Sequence, residues 1–569
     1  FPGRRQAGRG WRDRILLLAL LAVFPAAVLA DPSAGEGDAD RARQLDIGKR
    51  IYRDGTLSNG ELMFGTVRGD IKLTGAQAVC GACHRRSGLG SMEGQEVVPV
   101  LAGDTLFQPL RLPTSKPPLA PIQRPAYTDE TLKRAIRSGV GADGKPLGDV
   151  MPRYALSDQD LDALIAYLKS LTTGPDPGVD EREIHFATIV GYGVDPAARK
   201  AFLDVFDAFL AQKNAETRHE TSRAEHAPWH KQWAYAPYRK WVLHVWDLSG
   251  EPDSWPSQLQ RRYEERPVFA VIGGVAAGDW QAVHEFCERN QVPCLFPITD
   301  LPVLESGDFY SLYLTPGMSL EADAVAQHLA DGGLLSSPVV QVYRTGNERE
   351  ERAAAELSRR LEGKGAKVLD FAITEAQVPG EEFWRSVLAA SVGGAAVLWL
   401  ERPDLAGLWR LAPADGPQHV YLSTSLHGVD MADVALGFRD RLLVVHPYEM
   451  PDKLERLLRR ATGWLRAKRI AATDFLPIQA NAFFALKMAG SAVMGIRGFF
   501  VRDYVIERLE HLVDRAPYTS IYPRISLAPG QRVISRAAYI ARLPRSDETG
   551  TDLVPVTDWI APGGDWLGD

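Results

Sequence analysis

Cys80-Gly81-Ala82-Cys83-His84 places two thiols three positions apart, with an imidazole directly after the second. This is the C-x-x-C-H spacing of covalent c-type haem attachment. Each thiol can form one thioether to a single porphyrin, and the adjacent imidazole can then ligate the iron from below. A zinc or dithiol redox motif is the competing reading. Zinc would want a second Cys/His pair at finger spacing, and none follows in a chain with only four cysteines. The expected cofactor is therefore one covalent haem c, held by Cys80 and Cys83, with His84 as an iron ligand.

The elements that must carry this motif can be read around it. Residues 40–54 read as a helix stopped at Gly55, with Gly48 and Tyr52 on one face. Thr128-Asp129-Glu130 opens a second helix that ends at Gly139, and Ser157-Asp158 caps a third whose apolar stripe is Leu161, Leu164, Ile165 and Leu168. Between these lies Gly148-Asp149-Val150-Met151-Pro152. Residues 101–126 are proline-rich and aperiodic, and read as a loop around the haem edge. Thr172 to Gly178 is a linker by composition.

The span 45–172 resembles a class I cytochrome c domain. The resemblance rests on the Gly48/Tyr52 helix, the Cys80–His84 motif, Met151-Pro152 with Tyr154, and the last helix from Leu161 to Leu168. It implies an all-α fold in which the first and last helices cross, with Gly48 against Leu164 and Leu168. It also implies Met151 as the second axial ligand, with Met63 and Met92 as rivals outside the family's position. A thioether ligand would raise the reduction potential relative to a second imidazole.

Composition frames the rest. A chain of 569 residues should hold two or three domains, and 45% apolar with 24% charged content is that of globular protein. The net charge of −7 speaks against a general nucleic-acid binder. Arg4, Arg5, Arg9, Arg12 and Arg14 precede an apolar run from Ile15 to Ala30, with Val28 and Ala30 at −3 and −1 of a cleavage point. This reads as a signal peptide, with an uncleaved anchor as the alternative. The expectation is an exported, soluble periplasmic protein with no membrane attachment after cleavage, in a compartment where the neighbouring Cys287 and Cys294 form a disulfide. Two buried free thiols are the other outcome.

From residue 183 onward, short apolar runs alternate with helices, which implies parallel sheets. The length calls for two α/β lobes. The pattern resembles type I periplasmic solute-binding proteins of the branched-chain amino-acid and amide group. The carrying stretches are Val268–Gly274, Val283–Pro297, Phe309–Thr315 and Pro338–Tyr343. That resemblance implies three chain crossings between lobes and a ligand in the cleft. In open α/β sheets ligands sit at the carboxyl ends of strands, which selects Gly273, Gly274, Thr299, Asp300, Tyr343 and Thr424. The Gly pair either offers backbone N–H groups to a carboxylate or makes a tight turn.

The organisation expected is thus a signal peptide (1–30), a cytochrome c domain (31–174), a linker (175–182), a two-lobed binding-protein-like domain (183–545) and a tail (546–569). The fold class is multidomain: an all-α cytochrome c domain followed by a two-lobed α/β domain. The function expected is one-electron transfer through a His84/Met151 haem. The partner is a redox protein, such as a periplasmic dehydrogenase or another cytochrome, and the fused domain docks it or binds a small molecule. The alternative is a substrate-binding component of transport or sensing, for an amino-acid- or amide-like ligand, with haem secondary. No nucleophile–base pair or nucleotide loop argues for an enzyme with its own substrate.

Overall fold

The computed structural model describes residues 32–67, 71–93, 96–112, 122–226, 239–412, 416–472, 474–496, 498–516, 520–544 and 553–561. The expected signal peptide, the centre of the proline-rich stretch, residues 227–238 and the final residues of the tail lie outside them. No helix among the described residues is long and apolar enough to cross a membrane.

The first unit is built on four helices: α1 (Pro32–Asp54), α2 (Cys80–His84), α3 (Asp129–Ser138) and α4 (Asp158–Ser170). Their ends follow local chemistry. The Thr128 hydroxyl accepts from Thr131 N in a capping box, and Gly139 closes α3 in the left-handed conformation. The Ser157 hydroxyl accepts from Asp160 N and starts α4. Helices α1 and α4 cross where Gly48 has no side chain. A Cβ there would lie 2.1 Å from Ala163 O and 2.8 Å from Tyr167 Cβ. The contact is one helical position away from the Leu164/Leu168 contact expected, because the carbonyl ridge of α4, and not its leucines, faces the gap. Ile51, Tyr52, Leu161, Leu164 and Leu168 close the core beside it.

The all-α expectation for this unit needs correction. β1 (Phe64–Val67) pairs antiparallel with β2 (Ile71–Thr74) and with β3 (Arg153–Tyr154). Two further hairpins join Ser91–Glu93 to Glu96–Val98 and Leu110–Leu112 to Ile122–Arg124. The second of these occupies the stretch read as a loop. These strands are two to four residues long and gain their pairing from partners far away in sequence, so local periodicity does not announce them.

The second unit holds two parallel sheets. In the first, β4 (Glu183–Val190), β5 (Lys240–Asp247), β6 (Ala270–Ile272), β7 (Cys294–Leu295) and β8 (Ser311–Leu312) lie in the order β8-β7-β6-β4-β5. In the second, β9 (Val339–Arg344), β10 (Val368–Ile373), β11 (Ala395–Trp399), β12 (His419–Ser423) and β13 (Leu442–His446) repeat that order as β10-β9-β11-β12-β13. β14 (Tyr539–Arg542) and β15 (Val554–Pro555) then add antiparallel. Each sheet is the doubly wound 2-1-3-4-5 arrangement. The second sheet therefore draws in residues read as tail, and Trp559 lies under the Arg524 guanidinium at 4.6 Å.

The chain crosses between the lobes three times. After β8 it enters the second lobe, where α5 (Met318–Asp331) and α6 (Glu348–Glu362) share a core. It returns at Pro447, and α7 (Pro451–Ala467), α8 (Leu476–Gly495) and α9 (Arg502–Leu512) pack into the first lobe. The third crossing falls between Ile534 and Ala538. Ile521, Tyr522, Leu527 and Ile534 stay in the first core, and Val533 pairs with Tyr313.

The Cys287–Cys294 disulfide is also corrected. Cys287 and Cys294 are not joined by a disulfide. Cys287 on the helix Gln281–Arg289 and Cys294 on β7 are both fully buried in an apolar cluster. There they serve as small core side chains, and burial pushes the Cys287 thiol well above its ordinary range.

Gly48→Ala is expected to destabilise the first unit by about 1–3 kcal/mol, since the helix crossing must open to admit a methyl group. Thermal melts followed at the haem absorption should show the loss, while melting of the second unit stays in place.

Candidate functional site

The attachment motif lies on α2, a helix barely longer than one turn, whose start is fixed from outside. The Tyr154 hydroxyl donates to Ala78 O at 2.7 Å in a buried contact. Tyr154 is three residues after Met151, so one hydrogen bond ties the segments carrying both expected iron ligands. Met151 and Cys80 are half-buried against the same core. The Met151 carbonyl accepts from the Arg153 guanidinium, and Met151 N donates to Gly148 O at 3.2 Å.

His84 is 5% exposed. Its Nδ1 lies 2.9 Å from Pro99 O. With the proton on Nδ1 donated to that carbonyl, the Nε2 lone pair is left for a metal. Burial lowers the imidazole pKa, against a smaller opposing pull from Pro99, so the ring is neutral at physiological pH. The loop after it is held at several points. Gly90 N donates to His84 O (3.1 Å), Leu101 N to Gly88 O (2.7 Å) and Ser91 Oγ to Cys83 O (2.7 Å). Arg85 sits at φ +67°, a conformation side chains resist, and the buried Tyr52 hydroxyl donates to its carbonyl at 2.7 Å. Burial raises the Cys80 thiol to about 12, which keeps it inert as a free nucleophile. The donor set thus fits a haem: two thiols on one helical turn, a pre-oriented imidazole and a thioether on the same core.

This loop docks on the second unit. Asp503 on α9 accepts from Arg53 (3.1 Å), Arg86 (3.2 Å) and the Tyr310 hydroxyl. The Arg86 guanidinium also covers the Phe309 ring at 3.8 Å. The expected linker is bound, too: Asp176 N donates to Phe500 O (2.9 Å), and Arg502 N donates to the Asp176 carboxylate (2.7 Å).

The residues selected for the cleft divide. Gly273 (φ +60°) and Gly274 (φ +119°) form a turn against Phe206 and Trp280. Gly273 N donates to Leu295 O and Val275 N to Ile189 O, so the ladder already uses the N–H of Gly273 and that of the residue after the pair. Thr299 Oγ1 accepts from Leu301 N, and Thr424 Oγ1 donates to Val445 O, so both hydroxyls serve local structure. Tyr343 is half-buried against the second core. Asp300 alone joins a polar cluster. Its carboxylate meets Arg349 at 3.1 Å, while Arg349 also donates to Ser425 O at 2.6 Å. The Ser425 hydroxyl lies 2.9 Å from Tyr448 Oη, and Tyr448 rests on Tyr522 at 5.5 Å. Glu321 is buried beside Ser423 and Ser425, and one of its carboxylate oxygens has no partner among the described residues. Burial lifts its pKa to about 7, and raises Asp300 as well against the pull of Arg349. A second strut joins the lobes where Asp279 N donates to Glu348 at 2.9 Å. The cleft is therefore bridged by its own side chains.

Sequence reasoning missed Arg349 and Glu321. The one signal for Arg349 was its place in the first turn of α6, just past the carboxyl end of β9 and its Asn347 cap. Glu321 lies on an apolar helix face, where only burial marks it.

Residues 73–172 match the family model described as cytochrome c. That span contains the attachment motif and Met151, and is a cytochrome c domain. No curated protein matches the chain. Solved structures similar to it include a fatty acid ABC transporter substrate-binding protein from Thermomonospora curvata, 14% identical, with a TM-score of 0.44, covering 69% of this chain and 96% of that one. A branched chain amino acid ABC transporter from Thermus thermophilus with bound valine is 14% identical, with a TM-score of 0.45, covering 68% and 98%. A solute binding protein of an ABC transporter from R. palustris in complex with benzoate is 13% identical, with a TM-score of 0.46, covering 66% and 96%.

Glu321 makes stability depend on pH. Its pKa in the folded protein is raised, so its contribution is fully present below its ordinary 4.5 and is lost as pH rises through about 7. Glu321→Gln should flatten that decline. Denaturant unfolding of both proteins at several pH values checks it, and parallel curves would show that Glu321 has no part.

Proposed function

We propose that the chain is an exported c-type cytochrome that carries single electrons. In this reading Cys80 and Cys83 hold one haem through thioethers, and His84 and Met151 are its axial ligands. The haem supplies the change of valence. The chain supplies a neutral imidazole of fixed orientation, a second ligand on the same core, and a docked loop that limits movement between oxidation states. The observation that carries the reading is the buried His84 with Nδ1 tied to Pro99 O, within a span that matches a cytochrome c family model. Attachment of haem c outside the cytoplasm agrees with the basic and apolar N-terminal run.

The second unit, in the same proposal, binds a small polar ligand between its lobes or presents a surface to a redox partner protein. The Arg349–Asp300 bridge favours the ligand reading. A guanidinium, one buried and one half-buried carboxyl group and a hydroxyl pair meet in one interlobe space, with one carboxylate oxygen unpartnered among the described residues. Such a set recognises a ligand with both donors and acceptors.

Denaturing electrophoresis with haem staining tests attachment. Wild-type protein should carry gel-stable haem, and Cys80→Ala or Cys83→Ala should lose much of it; a wild-type band without haem overturns the proposal. Met151→Ala should keep the haem, lose the sulfur-to-iron band and lower the reduction potential. An unchanged spectrum would move the second ligand to another residue.

A further inference from the structure

The contact between the units converges on one face of α9, and it includes a carboxylate that the haem site does not need. Ser87, three residues after His84, donates to Glu507 from its backbone N and from its Oγ, both at 2.7 Å. Both residues are buried. The Tyr52 hydroxyl donates to Arg85 O, two residues before Ser87, and burial, then Cys80 and Glu507, opposes its ionisation. Glu507 thus meets the loop three residues past His84, although it belongs to the other unit.

The charges around it are arranged so that it lacks a cation. Asp503 and Glu510, on its own helix, disfavour its ionised form. Arg53 and Arg86 from the first unit are bound to Asp503, and Arg532 is bound to Glu510. His511, on the same helix, is held toward its neutral form by partial burial and by Arg85. Lys49 on α1 is likewise drawn toward neutrality by burial and by Arg53 and Arg86. Among the described residues Ser87 alone hydrogen-bonds the carboxylate, and burial outweighs it, lifting the pKa to about 8.

We propose that Glu507 is the proton acceptor linked to reduction of the haem, so that an electron entering the first unit brings one proton onto a carboxylate of the second. The balance is one electron, from a one-electron donor, to the iron, and one solvent proton to the carboxylate, which becomes a carboxylic acid. The added negative charge raises the proton affinity of a buried carboxylate nearby. By linkage, protonation makes the electron easier to add. The inference rests on the haem reading.

Redox titration of the full haem-loaded chain from neutral to alkaline pH tests it, together with the count of protons taken up on reduction. The wild-type potential should fall as pH rises through about 8, approaching a tenfold change in the redox equilibrium per pH unit, about 59 mV for one electron. Glu507→Gln should abolish both the slope and the proton uptake, with the potential resting near the wild-type value at low pH. Ser87→Ala, which keeps the carboxylate but removes one donor, should move the sloping window to higher pH. A carboxylic C=O signal that appears on reduction in the redox-difference infrared spectrum of the wild type should be missing in Glu507→Gln. A haem-loaded wild type whose potential ignores pH in this window overturns the inference and leaves the haem reading intact. So does a slope that survives Glu507→Gln. Protein without gel-stable haem overturns the reading and the inference together.

Discussion

The two units meet at Asp503, which lies partly buried between them. Its side chain is 12% exposed, and it receives two guanidinium groups and a tyrosine hydroxyl. An ion pair at this depth is held by strict geometry, because each charge gives up its water to form it. Removing one partner from such a site costs about 3–5 kcal/mol. That asymmetry fixes the relation of the units more firmly than contact area would. Arg86 is pinned twice, by Asp503 and by the Phe309 ring, and it sits two residues after His84. The loop that follows the proximal imidazole therefore has its conformation set partly by the other unit.

The same helix face shows how one protein handles two carboxylates differently. Asp503 accepts from two guanidinium groups and a tyrosine hydroxyl. Glu507, one turn further on, has hydroxyl and amide donors only, and burial favours its neutral form. The difference arises from which side chains the first unit presents: arginines at 53 and 86, a serine at 87. Arg53 on α1 and Arg86 in the haem loop thus serve one carboxylate, while Ser87, next to Arg86, serves the other.

Much of this was legible in the chain, and what was legible was local. C-x-x-C-H carries its own chemistry in five residues. Thr128, Gly139 and Ser157 mark helix ends because capping is settled within three or four residues. The long apolar runs of β4, β9 and β12 announce themselves as buried parallel strands. What was not legible needed partners far away. β1 and β3 exist because Gly65 meets Tyr154 across the unit. The Gly273–Gly274 pair looked like an anion site until the Gly273 N–H was seen in the sheet ladder. Two cysteines close in sequence suggested a bridge, yet a helix packed on a strand keeps them as separate thiols. Asp503, Glu507 and Arg349 are ordinary charged residues in sequence, and only the fold gives them neighbours.

The path of the chain also bears on how the cleft and the haem loop relate. Tyr448 and Tyr522 line the interlobe space, and both belong to the excursion into the first lobe that runs from Pro447 to Ile534. Glu449 N donates to Ile521 O at 3.0 Å, which ties the start of that excursion to the stretch after α9. The excursion contains α7, α8 and α9, and α9 carries Asp503 and Glu507. The cleft cluster and the haem-loop contacts therefore belong to one segment with a closed neck. A ligand that repositions Tyr448 acts on that neck directly. Whether its effect reaches the haem is a question of rigidity. α8 is buried along nearly its whole length in the first core, which resists bending and favours movement as a body. A body that moves would carry both carboxylates relative to Ser87 and Arg86. Such coupling has to run both ways: a ligand that alters the potential must bind the oxidised and reduced protein with different affinity. A ligand that binds both equally would leave the excursion still and the two units joined by their interface alone.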